Sequence, residues 1–210
     1  MALSCLGADQ DQDNILDFGP ETRKFHGKKP FLTKSLAPAD PEEPHVIMYT
    51  SGTTGAPKGA VLSYRKTLFN CLNADIFFKL HFDDTMLIIL PLFHSGGLFI
   101  QASPILYKGG TMIIHPKFDA IRTYADIERY RVTKFLGVPT IYNALLKKDL
   151  PIQKNVSTLK VSAIGGEKVT SDLQKMCRKA GFPVRQIMGQ TETSILFWAS
   201  EEDSINKPGT

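Results

Sequence analysis

The chain has 210 residues, 42% of them hydrophobic and 22% charged, an ordinary globular composition with enough apolar material for one sizeable core. Its three cysteines, Cys5, Cys71 and Cys177, are odd in number, and no metal-type spacing ties them to each other or to the five histidines; this argues against a disulfide framework and for a reducing, cytoplasmic setting. The net charge of +4 divides into −3 over residues 1–44 and +7 over residues 45–210; a basic globular part suits a polyanionic ligand, and although the basic residues are scattered, without the clusters of a nucleic-acid surface, charge alone does not decide which.

In chain order, the opening MALSCLGADQDQD meets acidic and amide residues before any long apolar run, so a secretory signal is not expected. Residues 1–44 lack a clear pattern and close on the Pro/Asp/Glu run from Ala37 to Pro44, which predicts an irregular leader or linker. Periodicity then predicts a strand over His45–Tyr49, a helix capped by Ser63 and running to about Lys79, and a strand over Thr85–Leu90. An apolar helix follows, then a strand over Thr111–His115, a helix over Asp119–Arg131 and a strand over Thr133–Gly137. Pro139–Lys147 reads as a helix with proline in its first turn. Leu159–Ile164, Thr170–Ala180 and Val184–Met188 continue as strand, helix and strand.

That alternation predicts an α/β fold: a mostly parallel sheet flanked by helices on both faces, with ligands collecting at the carboxyl ends of its strands. The stretch Thr85–Tyr107 carries no Asp, Glu, Lys or Arg and is long enough to span a membrane. Pro91, His94, Gly96, Gly97, Gln101 and Pro104 interrupt it, so a buried strand, turn and helix fit better than an integral membrane segment.

The densest chemistry lies in Tyr49-Thr50-Ser51-Gly52-Thr53-Thr54-Gly55-Ala56-Pro57-Lys58-Gly59. Glycines free backbone N–H groups to turn toward an anion, the hydroxyls of Thr50, Ser51, Thr53 and Thr54 add donors, and Lys58 adds positive charge; such a loop can cradle a polyphosphate. It is not the loop of P-loop NTPases, because that spacing, counted from Gly52, puts Gly at 57 and Ser or Thr at 59, where this chain has Pro57 and Gly59.

This loop resembles the phosphate-binding signature of the adenylate-forming (AMP-binding) superfamily, which includes acyl-CoA synthetases, luciferases and peptide-synthetase adenylation domains. Three further segments resemble that family in the expected order, so the likeness covers about residues 45–210, the adenylation domain in part. Pro91-Leu92-Phe93-His94-Ser95-Gly96-Gly97 is the second. A histidine in an apolar run is more often a packed core residue than a functional one; the resemblance implies that His94 lines the pocket near the nucleotide phosphates and the acid. Ala163-Ile164-Gly165-Gly166-Glu167 is the third. Its paired glycines can simply make a turn, and the resemblance implies that Gly165, Gly166 and Glu167 run along the adenine and acyl pockets.

The fourth segment is Gln186-Ile187-Met188-Gly189-Gln190-Thr191-Glu192-Thr193-Ser194, similar to the family's Gly-x-Thr-Glu. There the resemblance assigns the Thr191 hydroxyl to the α-phosphate and Glu192 to Mg²⁺, with Gln186, Met188, Gly189 and Gln190 around the nucleotide. The residues alone also read as an ordinary helix start. An aromatic residue often stands in the family where Met188 stands here; methionine can pack on a base through its polarizable sulfur. The resemblance implies an acid–thiol ligase with Lys58, His94, Thr191 and Glu192 as catalytic residues. It uses ATP, Mg²⁺ and coenzyme A in two half-reactions, acyl-adenylate formation and then thioester formation.

Peptide-synthetase adenylation domains of that family commonly place an aspartate after a phenylalanine near the second segment, to pair with the substrate amine; here that neighbourhood reads Phe93-His94, with no carboxylate from Thr85 to Tyr107, so the resemblance implies a fatty, branched or aryl acid rather than an amino acid. The Leu98-Phe99-Ile100 run can line an apolar tunnel or pack in the core. The family's lid domain would follow Lys207-Pro208-Gly209-Thr210, and the expectation is that this polypeptide alone binds nucleotide weakly and turns over poorly or not at all. Three other readings stay open: a non-catalytic nucleotide-binding or interaction module, a structural α/β domain without ligand, and an amino-acid adenylation domain.

Overall fold

The computed structural model describes residues 3–5, 40–50, 56–152, 155–200 and 203. Its main sheet has seven strands: β1 (Leu3–Cys5), β4 (Thr85–Ile88), β5 (Thr111–Ile114), β6 (Lys134–Gly137), β7 (Val161–Ile164), β8 (Val184–Gln190) and β9 (Ser194–Trp198). Their order is β1-β5-β4-β6-β7-β8-β9, all pairs parallel except β8 with β9. A separate antiparallel pair joins β2 (Pro44–Thr50) to β3 (Lys58–Ser63).

Helices cover both faces, as the βα rhythm implies. Side chains alternate along each strand, so neighbouring residues enter different cores. Leu87 of β4 and Phe135 of β6 join a first core with α4 (Ala120–Arg129), α5 (Pro139–Leu145) and α6 (Ser171–Lys179). Met86, Ile88 and Leu136 join a second core with α1 (Tyr64–Phe78), and Ile100 and Ile105 enter it from a helical segment running from Ser95 to Lys108. That segment is built as α2 (Ser95–Gly97), a π-helical turn (Leu98–Ala102) and α3 (Ser103–Lys108). A small third cluster of Met48, Leu62 and Phe99 seats the β2–β3 pair on the π turn.

Local chemistry sets the helix ends. The hydroxyl of Ser63 accepts from Lys66 N at 3.3 Å, the carboxylate of Asp119 from Arg122 N at 2.8 Å, and the hydroxyl of Thr170 from Leu173 N at 3.3 Å. At the amino edge of the sheet, the buried Lys134 ammonium donates to the Phe78 carbonyl at 2.8 Å and lies 3.4 Å from Asp84. Asp84 also accepts from the Thr133 hydroxyl at 2.7 Å and from His81 N at 2.9 Å. Loss of hydration lowers the Lys134 pKa, and the Asp84 carboxylate opposes that shift.

Three features differ from the sequence reading. Leu3–Cys5 of the stretch expected to be irregular forms an edge strand against β5; residues 6–39 lie outside the description. Lys58–Ser63 is a strand, so the hydroxyl-rich loop joins two antiparallel strands instead of leading from a strand into a helix. The Thr191-Glu192 segment belongs to a turn between β8 and β9, not to a helix start. Among the described residues, no helix is long and apolar enough to cross a membrane.

Candidate active site

From β4 the chain passes to β5 on one side, then returns to place β6 on the other, so the strand order reverses between β4 and β6. At such a switch point the connections leave in opposite directions and a crevice opens above the carboxyl ends of the strands. A cavity of about 530 Å³ occupies that place. Leu90 and Pro91 wall it after β4, Val138 after β6, Gly165 and Gly166 after β7, and Gly189 to Glu192 at the end of β8 and in the turn beyond it. Thr50, at the end of β2, closes it from the smaller sheet.

The segment after β4 reaches the cavity through a tight fold-back. His94 N donates to the Pro91 carbonyl at 3.1 Å, and the His94 carbonyl accepts from Leu98 N at 3.0 Å, opening the helical segment. Gly97 makes this possible, since a Cβ there would lie 2.6 Å from the Leu90 carbonyl oxygen. His94, exposed, and Ser95 and Gly96 behind it all line the cavity. The π turn that follows brings Ile100 to the cavity as well, and Gln101 Nε2 anchors that turn to the Leu87 carbonyl at 3.1 Å.

The paired glycines have different physical reasons. A Cβ on Gly165 would run into the Ile187 carbonyl oxygen and lie 2.8 Å from Ile187 Cγ1, so β7 and β8 can approach only because nothing is there. Gly166 instead has φ +84°, a left-handed backbone, and only Val138 Cγ1 at 3.3 Å near a hypothetical Cβ. Further along β8, a Cβ on Gly189 would lie 2.7 Å from the Ser194 carbonyl carbon. The turn from Gln190 to Thr193 is closed by Thr193 N donating to the Gln190 carbonyl at 3.2 Å.

Of the residues singled out in the sequence, Thr50, His94, Gly165, Gly166, Gly189, Gln190, Thr191 and Glu192 thus border one cavity. Ser51, Gly52, Thr53, Thr54 and Gly55 lie outside the described residues. Lys58 opposes Thr50 across the hairpin, its carbonyl 3.4 Å from the Thr50 hydroxyl, and its exposed side chain is not part of the cavity wall. Glu167 is exposed and turned elsewhere, Gln186 accepts from Gln174 Nε2 at 3.0 Å, and Met188 is 57% exposed on β8 opposite Phe197. None of these three borders the cavity.

The wall also contains Leu90, Leu136 and Val138, which the motifs did not single out. Their signal was positional, because each sits at or just past the carboxyl end of a strand flanking the switch point. Ile100, Leu136 and Ile187 belong to the second core and Val138 packs against the first, so the apolar part of the cavity draws on both cores. The cavity therefore combines hydroxyl, imidazole, carboxylate and backbone groups with an aliphatic wall, chemistry for a polar ligand carrying an apolar part.

A sheet reversed at β4/β6, with paired glycines and a Gly-x-Thr-Glu turn at its carboxyl edge, is the architecture of an adenylate-forming enzyme's large N-terminal domain. A family model described as AMP-binding enzyme matches residues 3–210, and the chain belongs to that family. It is 38% identical over 171 residues to indoleacetate–CoA ligase of Aromatoleum aromaticum, a match covering 81% of this chain and 34% of that enzyme. It is 37% identical over 149 residues to feruloyl-CoA synthase of an Amycolatopsis species, covering 71% of this chain and 30% of that protein. The structure of o-succinylbenzoate coenzyme A synthetase from Bacillus subtilis with ATP and magnesium ion superposes with a TM-score of 0.68 at 32% identity, covering 78% of this chain and 34% of that one. The chain thus spans about a third of the length of these relatives.

Proposed function

We propose that this chain forms the nucleotide- and acid-binding core of an ATP-dependent acid–thiol ligase acting on an aryl carboxylic acid. The observation that carries the reading is that Thr50, His94 and the Gly189–Glu192 turn meet in one cavity beside the aliphatic wall of Ile100, Leu136 and Ile187. In the first half-reaction, a carboxylate oxygen of the acid attacks the α-phosphorus of ATP and the bond to the β-phosphate breaks, releasing pyrophosphate. In the second, the sulfur of coenzyme A attacks the acyl carbonyl and AMP departs.

Each residue's task follows from the charges involved. The attacking and attacked groups are both anions, so donors must be fixed where negative charge gathers. The Thr191 hydroxyl donates to an α-phosphate oxygen. His94 donates to the acid's carboxylate and holds it in line. Thr50, Ser51, Thr53, Thr54 and the backbone freed by Gly52 and Gly55 hold the β- and γ-phosphates, with Lys58 supplying positive charge. Gly165, Gly166 and Gln190 form the wall along the nucleoside.

Glu192 suits Mg²⁺. Among the described residues there is no cluster of three His, Cys, Asp or Glu side chains, so an all-protein cage is not what this turn offers. Mg²⁺ commonly takes one or two carboxylates and completes its shell with phosphates and water, which a lone Glu192 beside bound ATP satisfies. When bound, the metal offsets phosphate charge.

Two features favour an acid with an uncharged, apolar tail, and the relatives favour an aryl one. Glu192 is the single Asp or Glu among the described lining residues, so a substrate ammonium has no other carboxylate partner among them. The aliphatic wall suits an apolar tail. The relatives compared above are named for indoleacetate, ferulate and o-succinylbenzoate, and the fatty-acid branch of the expectation has no such support. Buried free thiols at Cys71 and Cys177 agree with a cytoplasmic setting.

Calorimetric titration with Mg·ATP tests the reading. Uptake is expected, weakened about tenfold in Lys58→Ala by the loss of one charge-assisted phosphate contact. With nucleotide bound, indoleacetate or ferulate is expected to bind and hexanoate to bind less well. No uptake of Mg·ATP, or an unchanged affinity in Lys58→Ala, counts against the assignment.

A further inference from the structure

Ser194 stands out in the turn that carries Thr191 and Glu192. It has φ +53°, the left-handed region that an L side chain adopts only when its surroundings impose it, and it is buried at 1% exposure. Its hydroxyl has no hydrogen-bond partner among the described residues, and neither has that of Thr193. The side chain's polarity therefore does not hold this conformation.

What imposes it is the pairing on either side. Ser194 opposes Gln190 in the β8–β9 register, and its carbonyl packs so closely on Gly189 that no Cβ fits between them. One residue later the register slips by one position: Gly189 pairs with Ile195 while Met188 pairs with Phe197, leaving Leu196 as a bulge. Both legs of the hairpin are fixed from below, Ile187 and Ile195 in the second core and Trp198 edge-on to Phe77 at 5.9 Å. The legs are held, so the direction of the turn above them is set by the few backbone angles between Gln190 and Ile195.

We propose that Ser194 is a positioning residue: its left-handed backbone aims the Gln190–Thr193 turn so that Thr191 and Glu192 border the cavity. This rests on the reading of Thr191 and Glu192 as ligand-binding groups. A substitution acts through backbone preference, with no contact to ligand needed. Glycine and alanine tolerate the angle far better than a β-branched residue, for which positive φ is a true outlier.

The experiment compares Ser194→Gly, Ser194→Ala, Ser194→Thr and Ser194→Val in the 210-residue chain. Hydrogen exchange read by mass spectrometry without ligand is expected to quicken across residues 189–195 in the Thr and Val variants, and to stay near the parent in Gly and Ala. Calorimetry with ATP is expected to show Mg²⁺-dependent affinity falling about tenfold or more in Thr and Val, with metal-free affinity, which loses the Thr191 hydrogen bond alone, falling distinctly less. A general packing defect would lower both affinities alike. Ser194→Thr keeps the hydroxyl, so it separates the backbone from the polar group.

The proposal is overturned if Ser194→Thr matches the parent in exchange and in affinity, or if Ser194→Ala falls as far as Ser194→Val. Thr191→Ala and Glu192→Gln run alongside. If they leave Mg·ATP affinity intact, the ligand reading of the turn fails, and the exchange data still decide whether Ser194 sets the turn.

Discussion

The two glycines after β7 give the sharpest separation of causes, because they are adjacent and needed for different reasons. At Gly165 the obstacle is space. A methyl group would collide with the Ile187 carbonyl and approach Ile187 Cγ1 to 2.8 Å, inside the 3.0 Å that real Cβ contacts respect. The obstructing atom is backbone on the neighbouring strand, so relief requires β7 and β8 to spread. Overpacking of that kind costs about 1–3 kcal/mol, and a backbone obstacle belongs toward the upper end. At Gly166 the obstacle is the angle. With φ +84° and only Val138 Cγ1 nearby at 3.3 Å, alanine there costs about 1–2 kcal/mol for the left-handed backbone. Asparagine tolerates that region and should recover much of the loss.

Urea unfolding followed by the fluorescence of Trp198, the chain's one tryptophan, measures all three variants. The expected order of destabilisation is Gly165→Ala, then Gly166→Ala, then Gly166→Asn. Gly165→Ala should also weaken Mg·ATP uptake, since it displaces the wall shared by Gly165 and Ile187. The reasoning is refuted if Gly166→Asn is as damaging as Gly166→Ala, or if Gly165→Ala is the mildest of the three.

Lys134→Met removes one partner of a buried ion pair and strips the Phe78 carbonyl of its donor. Asp84 keeps the Thr133 and His81 donors and the exposed Lys160 at 3.6 Å, so the loss should lie near the lower end of the usual 3–5 kcal/mol, with nucleotide affinity little changed because the pair sits at the opposite edge of the sheet; denaturant titration and calorimetry check the two parts. Burial pushes the Cys71 thiol up to about 11 and the Cys177 thiol up to about 12, so neither should alkylate in the native chain at pH 8, and both should after unfolding, as peptide mapping would reveal. The linked sign is a loss at alkaline pH: between 9 and about 12 the folded state keeps a proton on Cys177 that the unfolded state releases, so stability falls as pH rises, and Cys177→Ala should fall less steeply.

Most of the sheet was legible because its strands are short, β-branched and separated by helices with visible caps. Ser63, Asp119 and Thr170 begin α1, α4 and α6 as their side chains imply. The two antiparallel pieces were not legible. Lys58–Ser63 contains Gly59 and runs directly into a helix cap, and it is a strand only because β2 lies beside it. Ser194–Trp198 follows a hairpin turn without glycine at its centre, and its unusual angle falls on a serine, which no turn rule flags. The π turn at Leu98–Ala102 carries neither proline nor glycine to announce it, yet it governs where Ile100 points.

For the site, motif and topology were informative in different ways. The motifs led to Thr50, His94, Gly165, Gly166 and the Gly189–Glu192 turn, and these border one cavity. Leu90, Leu136 and Val138 carry no motif, but the carboxyl-end rule applied at the β4/β6 reversal would have included them. Met188 and Glu167 were proposed from a motif's neighbourhood, and strand alternation and the turn at Gly166 carry both away from the wall.

The most direct measurement is a crystal structure of the chain soaked with Mg·ATP. The phosphates are expected between Thr50 and Thr191, with the metal on Glu192 and the nucleoside along Gly165 and Gly166. Nucleotide bound elsewhere on the molecule, with the cavity at the β4/β6 reversal left unfilled, would contradict the assignment.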